Sequence, residues 1–266
     1  MVDHYENFPV ASLLLPRSLR APIEVIYRFA RSADDIADEG DASAGARLAA
    51  LEAYREELRR IAAGAPPRTP LFADVARIVR AHDLPLAPFE ALLDAFSQDV
   101  TQKRYRDFAA LADYCGRSAN PIGRLLLHLF KRTSERELAQ SDAVCTALQL
   151  INFWQDVPID YAKGRIYLPE DEMARHGVGE RHIAERRCDA AWASLMKYQV
   201  DRARAMILSG VPLGRSLPGR VGLEIRATIQ GGLRILEKIE RIGYDVFRRR
   251  PVLGAADWPL MLVRAL

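Results

Sequence analysis

The sequence has few cysteines and no long apolar run. Its three cysteines, Cys115, Cys145 and Cys188, are widely spaced and form no Cys-x-x-Cys pair, which argues against a disulfide framework and favours a reducing compartment. No apolar segment reaches the roughly 18 residues of a membrane-spanning helix. The N-terminus leads directly into Asp3 and Glu6 rather than into a secretory signal. We therefore expect a cytoplasmic protein without a membrane span of its own.

An excess of charge of one sign is also lacking. The chain carries 38 Lys and Arg residues against 35 Asp and Glu residues, a net charge of +3. No DNA- or RNA-binding motif accompanies this balance, so we expect no nucleic-acid partner. The small basic excess is compatible with an anionic ligand or with peripheral contact to an anionic membrane surface.

Alternation of apolar and polar residues, the pattern of half-buried strands, is nearly absent. Ala, Leu, Arg and Glu instead recur at helical spacing, which predicts an all-α fold. The length of 266 residues, without a long linker or repeat, predicts one domain over 1–266. We predict helices near 17–39, 43–63, 70–82, 86–102, 107–114, 119–131, 135–157, 181–208 and 219–242.

The segment Arg31–Glu39 places four carboxylates and an arginine at the end of an apolar helical pattern. The apolar face of this helix passes through Ala30, and its continuation brings Asp34 and Asp38 onto that face, one turn apart. We predict that both carboxylates point inward, where they are costly to desolvate unless a cation joins them. Oxygen ligands of this kind suit Mg²⁺. The alternative interpretation is a solvated acidic helix end.

A second polar stripe lies near the middle of the chain. Gln149, Asn152, Asp156 and Asp160 fall on one helical face. Two such helices that face each other would hold divalent cations able to grip and ionise a diphosphate. Pro158 is expected to kink or end the second helix, which makes Asp160 the weakest of the predicted ligands.

Together with the segment Lys163–Pro169, the two acidic motifs resemble the squalene/phytoene synthase family of head-to-head prenyl-diphosphate condensing enzymes. The resemblance extends from about residue 4 to residue 250. Within the family, the segments Glu6–Pro16, Tyr114–Pro121 and Asn152–Asp156 are most similar to the bacterial hydroxysqualene synthases of hopanoid biosynthesis.

This resemblance implies a single isoprenoid-synthase helical bundle around a deep apolar cavity. It implies that Tyr114 lies beside the developing carbocation, although a tyrosine at helical spacing is also a common core residue. The implied ligands of Mg²⁺, which share oxygen donors, are Asp34, Asp38, Asn152, Asp156 and Asp160. The implied substrate-binding residues are His4, Phe8, Tyr27, Arg31, Gln149, Lys163, Arg165 and Tyr244.

Two further features bear on this site. The Lys163–Arg165 loop carries two cations and resembles a flexible lid over a diphosphate, the alternative being an ordinary surface loop. Gln155 stands where many relatives have an arginine directly before the aspartate. We predict that its neutral amide tolerates or positions the water that traps a cation, so that the enzyme acts at the later step of the pathway.

The resemblance implies Mg²⁺-dependent conversion of presqualene diphosphate to hydroxysqualene by diphosphate ionisation, rearrangement and water capture, without NADPH. The first alternative is condensation of two farnesyl or geranylgeranyl diphosphates to presqualene diphosphate, squalene or phytoene. The second is a non-catalytic assembly or scaffold relative. Membrane association and contacts with other hopanoid-pathway enzymes are compatible with the resemblance, and the oligomeric state stays open.

Overall fold

The computed structural model describes residues 16–266, and every regular element in that range is a helix. None of these helices is long and apolar enough to cross a membrane. The predicted all-α class is confirmed. The helices are α1 (Arg17–Asp38), α2 (Ala44–Ala62), α3 (Pro70–His82), α4 (Ala87–Thr101), α5 (Phe108–Ser118), α6 (Asn120–Leu129), α7 (Glu135–Ala162), α8 (Glu170–Arg175), α9 (Glu180–Ala184), α10 (Ala190–Ser209), α11 (Val211–Ser216), α12 (Gly219–Arg241) and α13 (Asp257–Ala265).

These helices form two compact units. The N-terminal unit comprises residues 16–102 and Gly116–Leu138, and the C-terminal unit comprises Lys103–Cys115 and Ala139–Leu266. The prediction of one domain over 1–266 stays a prediction.

The N-terminal unit is built around α1, which packs against α2, α3, α4 and α6. Ile26, Phe29, Ala33 and Ala37 recur at helical spacing and are buried. The ring of Phe29 meets Phe72 and Phe89 edge to face, at centroid distances of 5.8 and 5.0 Å. This buried line therefore fixes which side of α1 carries its polar groups.

Capping side chains and special backbone angles set the helix ends in this unit. The Ser43 hydroxyl accepts the Ala46 N–H at the start of α2, and the Thr69 hydroxyl accepts the Phe72 N–H at the start of α3. Asp83 ends α3 in the left-handed conformation, with φ of 53°. These local signals account for the close agreement between predicted and observed bounds of α2 and α3.

In the C-terminal unit, α7, α10 and α12 approach closely at Gly232. A Cβ atom at this position would lie 2.7 Å from Ile207 Cδ1 and 2.9 Å from Leu148 Cδ2. At the neighbouring Gly231, a Cβ atom would meet Met261 Cε at an ordinary 3.4 Å. The glycine pair interrupts the apolar stripe of α12 because Gly232 is needed for close helix packing.

Three short helices, α8, α11 and α13, were not among the predicted ones. The last, α13, is fastened at its first residue, because the buried Asp257 carboxylate accepts the Gly254 N–H and pairs with Lys238 and Arg234. The Gly254 N–H and these two cations lower the pKa of Asp257. A carboxyl group whose pKa is lowered by folding stabilises the fold at every pH above its pKa in the unfolded chain. This stabilisation disappears as the pH falls through the lowered pKa, so the anchor is lost only in strong acid.

We expect Gly232→Ala to lower the free energy of unfolding by about 1–3 kcal/mol, because its new methyl group overpacks a buried contact. Gly231→Ala is the matched control. It adds the same methyl group in the same helix at ordinary van der Waals distances from its neighbours, and helix propensity favours alanine by about 1 kcal/mol. Urea denaturation of both variants checks this expectation, and equal stability of the two would contradict it.

Candidate active site

The polar side of α1 flanks its buried line. Asp34 and Asp38 are half-buried, whereas Ala33 and Ala37 occupy the buried positions beside them. The prediction that both carboxylates point into the core is therefore corrected. The buried face of α1 lies about one residue away and passes through Ala33 and Ala37 instead of Asp34 and Asp38. Carboxylates at such an edge keep part of their hydration, so a metal ion and solvent both have access to them.

An open groove of about 630 Å³ lies along this side of α1 and is lined in part by Tyr27, Arg31 and Asp35. Arg31 pairs with Asp35 at 2.7 Å and with Asp34 at 3.5 Å. The Tyr27 hydroxyl oxygen is buried and has no hydrogen-bond partner among residues 16–266. An unsatisfied hydroxyl beside a guanidinium suits a polar or anionic ligand.

The second polar stripe lies on α7 as predicted. Gln149, Asn152, Asp156 and Asp160 are all half-buried, next to buried apolar residues of the same helix. The predicted helix end at Pro158 is wrong, because α7 continues to Ala162. Asp160 therefore stays on the helix one turn beyond Asp156. The alternative, a kink at Pro158, stays a prediction.

The side chain of Asp156 forms a two-pronged ion pair. Arg250 donates from Nε to one carboxylate oxygen and from Nη2 to the other, the latter at 3.0 Å. This geometry is the strong form of an arginine–carboxylate contact. The Asp156 side chain is only 13% exposed, so the pair is largely shielded from water. The sequence analysis did not select Arg250, because no local pattern distinguishes it from its neighbours Arg248 and Arg249.

Gln155 is buried and contacts the backbone of the C-terminal segment. Its side chain is 1% exposed, and its Nε2 donates to the Pro251 carbonyl at 2.6 Å. This contact holds the chain directly after Arg250, the residue that pairs with Asp156. That the neutral amide of Gln155 tolerates or positions a reacting water stays a prediction.

The segment after α7 is anchored rather than loosely tethered. The Ile166 N–H donates to the Lys103 carbonyl at 3.0 Å, and Arg104 donates to the Gly164 carbonyl at 2.6 Å. Arg165 is only 8% exposed, while Lys163 stays exposed. Arg165 is therefore buried here, and Lys163 is the cation that the loop presents to solvent, while the predicted lid function of this loop stays a prediction.

An aromatic cluster lies beneath this loop in the C-terminal unit. The rings of Phe153 and Tyr167 stack at 3.7 Å, and Tyr114 packs on both of them and on Tyr105. All four side chains are buried. Tyr114 thus shares its environment with three aromatic residues that the sequence analysis did not select. Of these three, Phe153 could have been identified most readily from the sequence, because it directly follows the predicted ligand Asn152.

The remaining predicted residues differ in their placement. Tyr244 is half-buried near charged groups of α10 and α12, and burial, followed by the nearby Glu240 carboxylate, raises its pKa. Within residues 16–266, no ring contact joins Tyr244 to the aromatic cluster. His4 and Phe8 lie outside the described residues, and whether the two acidic helices face each other stays a prediction.

The donors on the two helices fit Mg²⁺ by their chemistry. Asp34 and Asp38 on α1, and Asn152, Asp156 and Asp160 on α7, offer hard oxygen ligands at one-turn spacing. Within residues 16–266, no three His, Cys, Asp or Glu side chains form a closed metal cage. Mg²⁺ commonly binds through one or two carboxylates together with substrate phosphates, so an open donor set of this kind is suitable.

A family model described as squalene/phytoene synthase matches residues 1–257. The chain belongs to the squalene/phytoene synthase family. It is 31% identical to 15-cis-phytoene synthase of Synechococcus elongatus over an alignment of 276 residues, which covers 98% of this chain and 89% of that protein. It is 42% identical to hydroxysqualene synthase of Zymomonas mobilis over 174 residues, which covers 65% of this chain and 58% of that protein.

Among solved structures, squalene synthase HpnC from Alicyclobacillus acidocaldarius is 39% identical to this squalene/phytoene synthase family member. The TM-score is 0.84, and the match covers 91% of this chain and 90% of that one. The predicted resemblance and the isoprenoid-synthase type of helical fold are confirmed. The protein is an enzyme of squalene/phytoene synthase type, whose family acts on prenyl diphosphates.

We expect Arg250→Gln to lower the free energy of unfolding by about 1–3 kcal/mol in metal-free buffer, because a shielded carboxylate loses its charged partner. Added Mg²⁺ should restore part of this loss, since a cation then replaces the guanidinium. Arg249→Gln, at an exposed neighbouring arginine, is the matched control. Thermal unfolding and calorimetric Mg²⁺ titration without substrate measure both effects. Unchanged stability of Arg250→Gln would contradict the structural importance of this pair.

Proposed function

We propose that this enzyme converts presqualene diphosphate and water to hydroxysqualene and diphosphate. The observation that carries the proposal is the 42% identity, over 174 residues, to a hydroxysqualene synthase. The polar stripe of α7 and the buried aromatic cluster supply the two environments that this reaction needs. One environment stabilises a departing diphosphate, and the other stabilises a carbocation.

In this proposal, Asp34 and Asp38 on α1 and Asn152, Asp156 and Asp160 on α7 hold Mg²⁺. When bound, Mg²⁺ neutralises the diphosphate and makes it a better leaving group. Arg31 and the exposed Lys163 add positive charge toward the same group. Arg250 stabilises Asp156 until a cation joins the carboxylate.

The aromatic cluster then acts on the hydrocarbon part. The ring faces of Tyr114, Phe153 and Tyr167 carry negative quadrupole potential, which favours positive charge within about 6 Å. Their burial excludes bulk water, so the fate of the cation depends on the one water molecule that reaches it. That water adds to the cation and loses a proton, which gives an alcohol and requires no hydride from NADPH.

One alternative has its own support. The similarity to 15-cis-phytoene synthase extends over 98% of this chain, which favours condensation of two prenyl diphosphates as the second candidate. A non-catalytic scaffold is disfavoured, because the acidic residues of both motifs are present and lie at the edges of buried helix faces.

The deciding experiment offers the purified protein presqualene, farnesyl or geranylgeranyl diphosphate, each with Mg²⁺ and without reductant. We expect hydroxysqualene from presqualene diphosphate, identified by mass spectrometry. In water labelled with heavy oxygen, the label should enter the alcohol, because the carbon–oxygen bond to diphosphate breaks. Phytoene from geranylgeranyl diphosphate, with presqualene diphosphate left unchanged, would overturn the proposal in favour of the second candidate.

Substitutions in the two stripes test the metal ligands. We expect Asp34→Asn, Asp156→Asn and Asp160→Asn each to lower turnover by about a hundredfold or more, since each removes an anionic ligand near the developing charge. Asp160 belongs in this group because α7 continues unbroken past Pro158. Asp201→Asn, on the exposed side of α10, is the control for the chemical change.

Steady-state rates and melting temperatures are measured together, so that loss of fold is separated from loss of ligation. A stable Asp160→Asn variant with wild-type turnover and unchanged Mg²⁺ dependence would remove Asp160 from the proposed ligands.

A further inference from the structure

The outward face of α13 is apolar to an unusual degree. Of its nine residues, four are large apolar side chains with substantial exposed surface, among them Trp258 at 52% and Val263 at 72%. The helix packs inward through Met261 and Ala265. A surface helix ordinarily presents polar side chains to water, so this face is suited to a non-aqueous partner.

This face is held in place at both ends. At its start, Asp257 accepts Arg234 Nε at 2.7 Å and also pairs with Lys238. At its end, the Ala265 carbonyl accepts a hydrogen bond from Arg226. The exposed apolar side chains therefore belong to a helix fixed on the unit, rather than to a frayed end.

The contacts at both ends of α13 lead to segments that carry exposed arginines. Lys238 binds both the Val252 carbonyl and Asp257, which brings the end of the segment Arg248–Val252 to the start of α13. The Arg248 side chain in this segment is 88% exposed. At the other end, Arg226 binds both the Ala265 and Gly214 carbonyls and so places the exposed Arg215 nearby.

The acidic side chains near this face form ion pairs with basic side chains. Glu237 pairs with Arg264 at 2.6 Å, and Asp245 pairs with Arg248 at 3.2 Å. Asp257 is buried within its own ion pairs. Arg248 and Arg264 are themselves paired with these carboxylates, so the net positive charge around the apolar face comes from the excess of basic side chains. Arg215, Arg226, Arg234, Lys238, Arg248 and Arg264 outnumber Glu237, Asp245 and Asp257.

We propose that the outward face of α13 docks this protein on an anionic lipid bilayer, with the helix lying in the interfacial plane. Apolar side chains that include a tryptophan enter the boundary between headgroups and acyl chains, and flanking arginines attract anionic headgroups. A second copy of the chain suits this face less well. Two-fold pairing would bring the arginines of both copies together, and like charges oppose such an interface.

This inference goes beyond the proposed reaction and does not depend on which prenyl diphosphate is used. The test is co-sedimentation of the full chain with vesicles of phosphatidylcholine and phosphatidylglycerol, or of phosphatidylcholine alone, at low and high salt. We expect binding to the anionic vesicles that weakens at high salt. Binding should also shift the emission of Trp258 to the blue, since Trp154 and Trp192 are already fully buried.

Val263→Glu should reduce partitioning into anionic vesicles by about tenfold or more, the effect of roughly 1.4 kcal/mol. Leu208→Glu is the matched control, because it makes the same charge change at an exposed apolar residue of α10, outside the α13 face. Activity in detergent and melting temperature confirm that both variants are folded.

Absence of binding to anionic vesicles at low salt would overturn the proposal, as would equal binding of Val263→Glu and wild type. Size-exclusion chromatography with light scattering tests whether a second copy of the chain binds this face instead. A wild-type dimer that becomes a monomer in Val263→Glu would assign this face to a second copy of the chain and would also overturn the proposal.

Discussion

The ion pair between Asp156 and Arg250 connects the reactive stripe of α7 with the C-terminal segment. Asp156 is shielded enough that its charge needs a partner, and Arg250 satisfies both of its oxygens. Gln155 fixes the following peptide, and Lys238 fixes the next carbonyl together with Asp257. A continuous series of polar contacts therefore leads from a proposed metal ligand to α13.

The half-buried positions of the carboxylates also explain why this fold can accommodate a divalent metal ion. The carboxylates on α1 and α7 lie beside buried lines of alanine, leucine and isoleucine, so they are neither fully solvated nor fully desolvated. Such groups bind a divalent ion without the large desolvation cost of a core site. The aromatic cluster of the C-terminal unit lies beside the α7 stripe, since Phe153 follows Asn152 directly.

Most of the helical framework could be predicted from the sequence. Periodicity and capping residues placed α1 to α4 within about two residues at each end, because those signals are local. The stripe on α7 was predicted for the same reason. On α1 the predicted face was displaced, because Tyr27 and Ala30 resemble core residues, while Phe29 and Ala33 form the buried line.

The predicted helix end at Pro158 is wrong, because α7 continues past it. Two other features that the sequence analysis missed depend on long-range contacts. The Lys163–Arg165 loop was predicted as a flexible lid, and its segment contacts residues about 60 positions earlier: the Arg104 side chain donates to the Gly164 carbonyl, and the Ile166 N–H donates to the Lys103 carbonyl. Gln155 donates to a carbonyl that lies 96 positions away in the sequence. Short sequence patterns carry no information about partners at such separations.

The contacts around Arg250 also differ in how they constrain sequence change. Asp156 and Arg250 contact each other through side chains, so a change at either position alone leaves a charge without its partner. Gln155 binds a main-chain carbonyl, which every residue type at position 251 would supply. The structure therefore tolerates substitution of Pro251 wherever its backbone conformation is kept, whereas position 155 requires a buried donor of similar reach. Amino-acid substitution is therefore restricted at positions 155, 156 and 250 and is comparatively free at position 251.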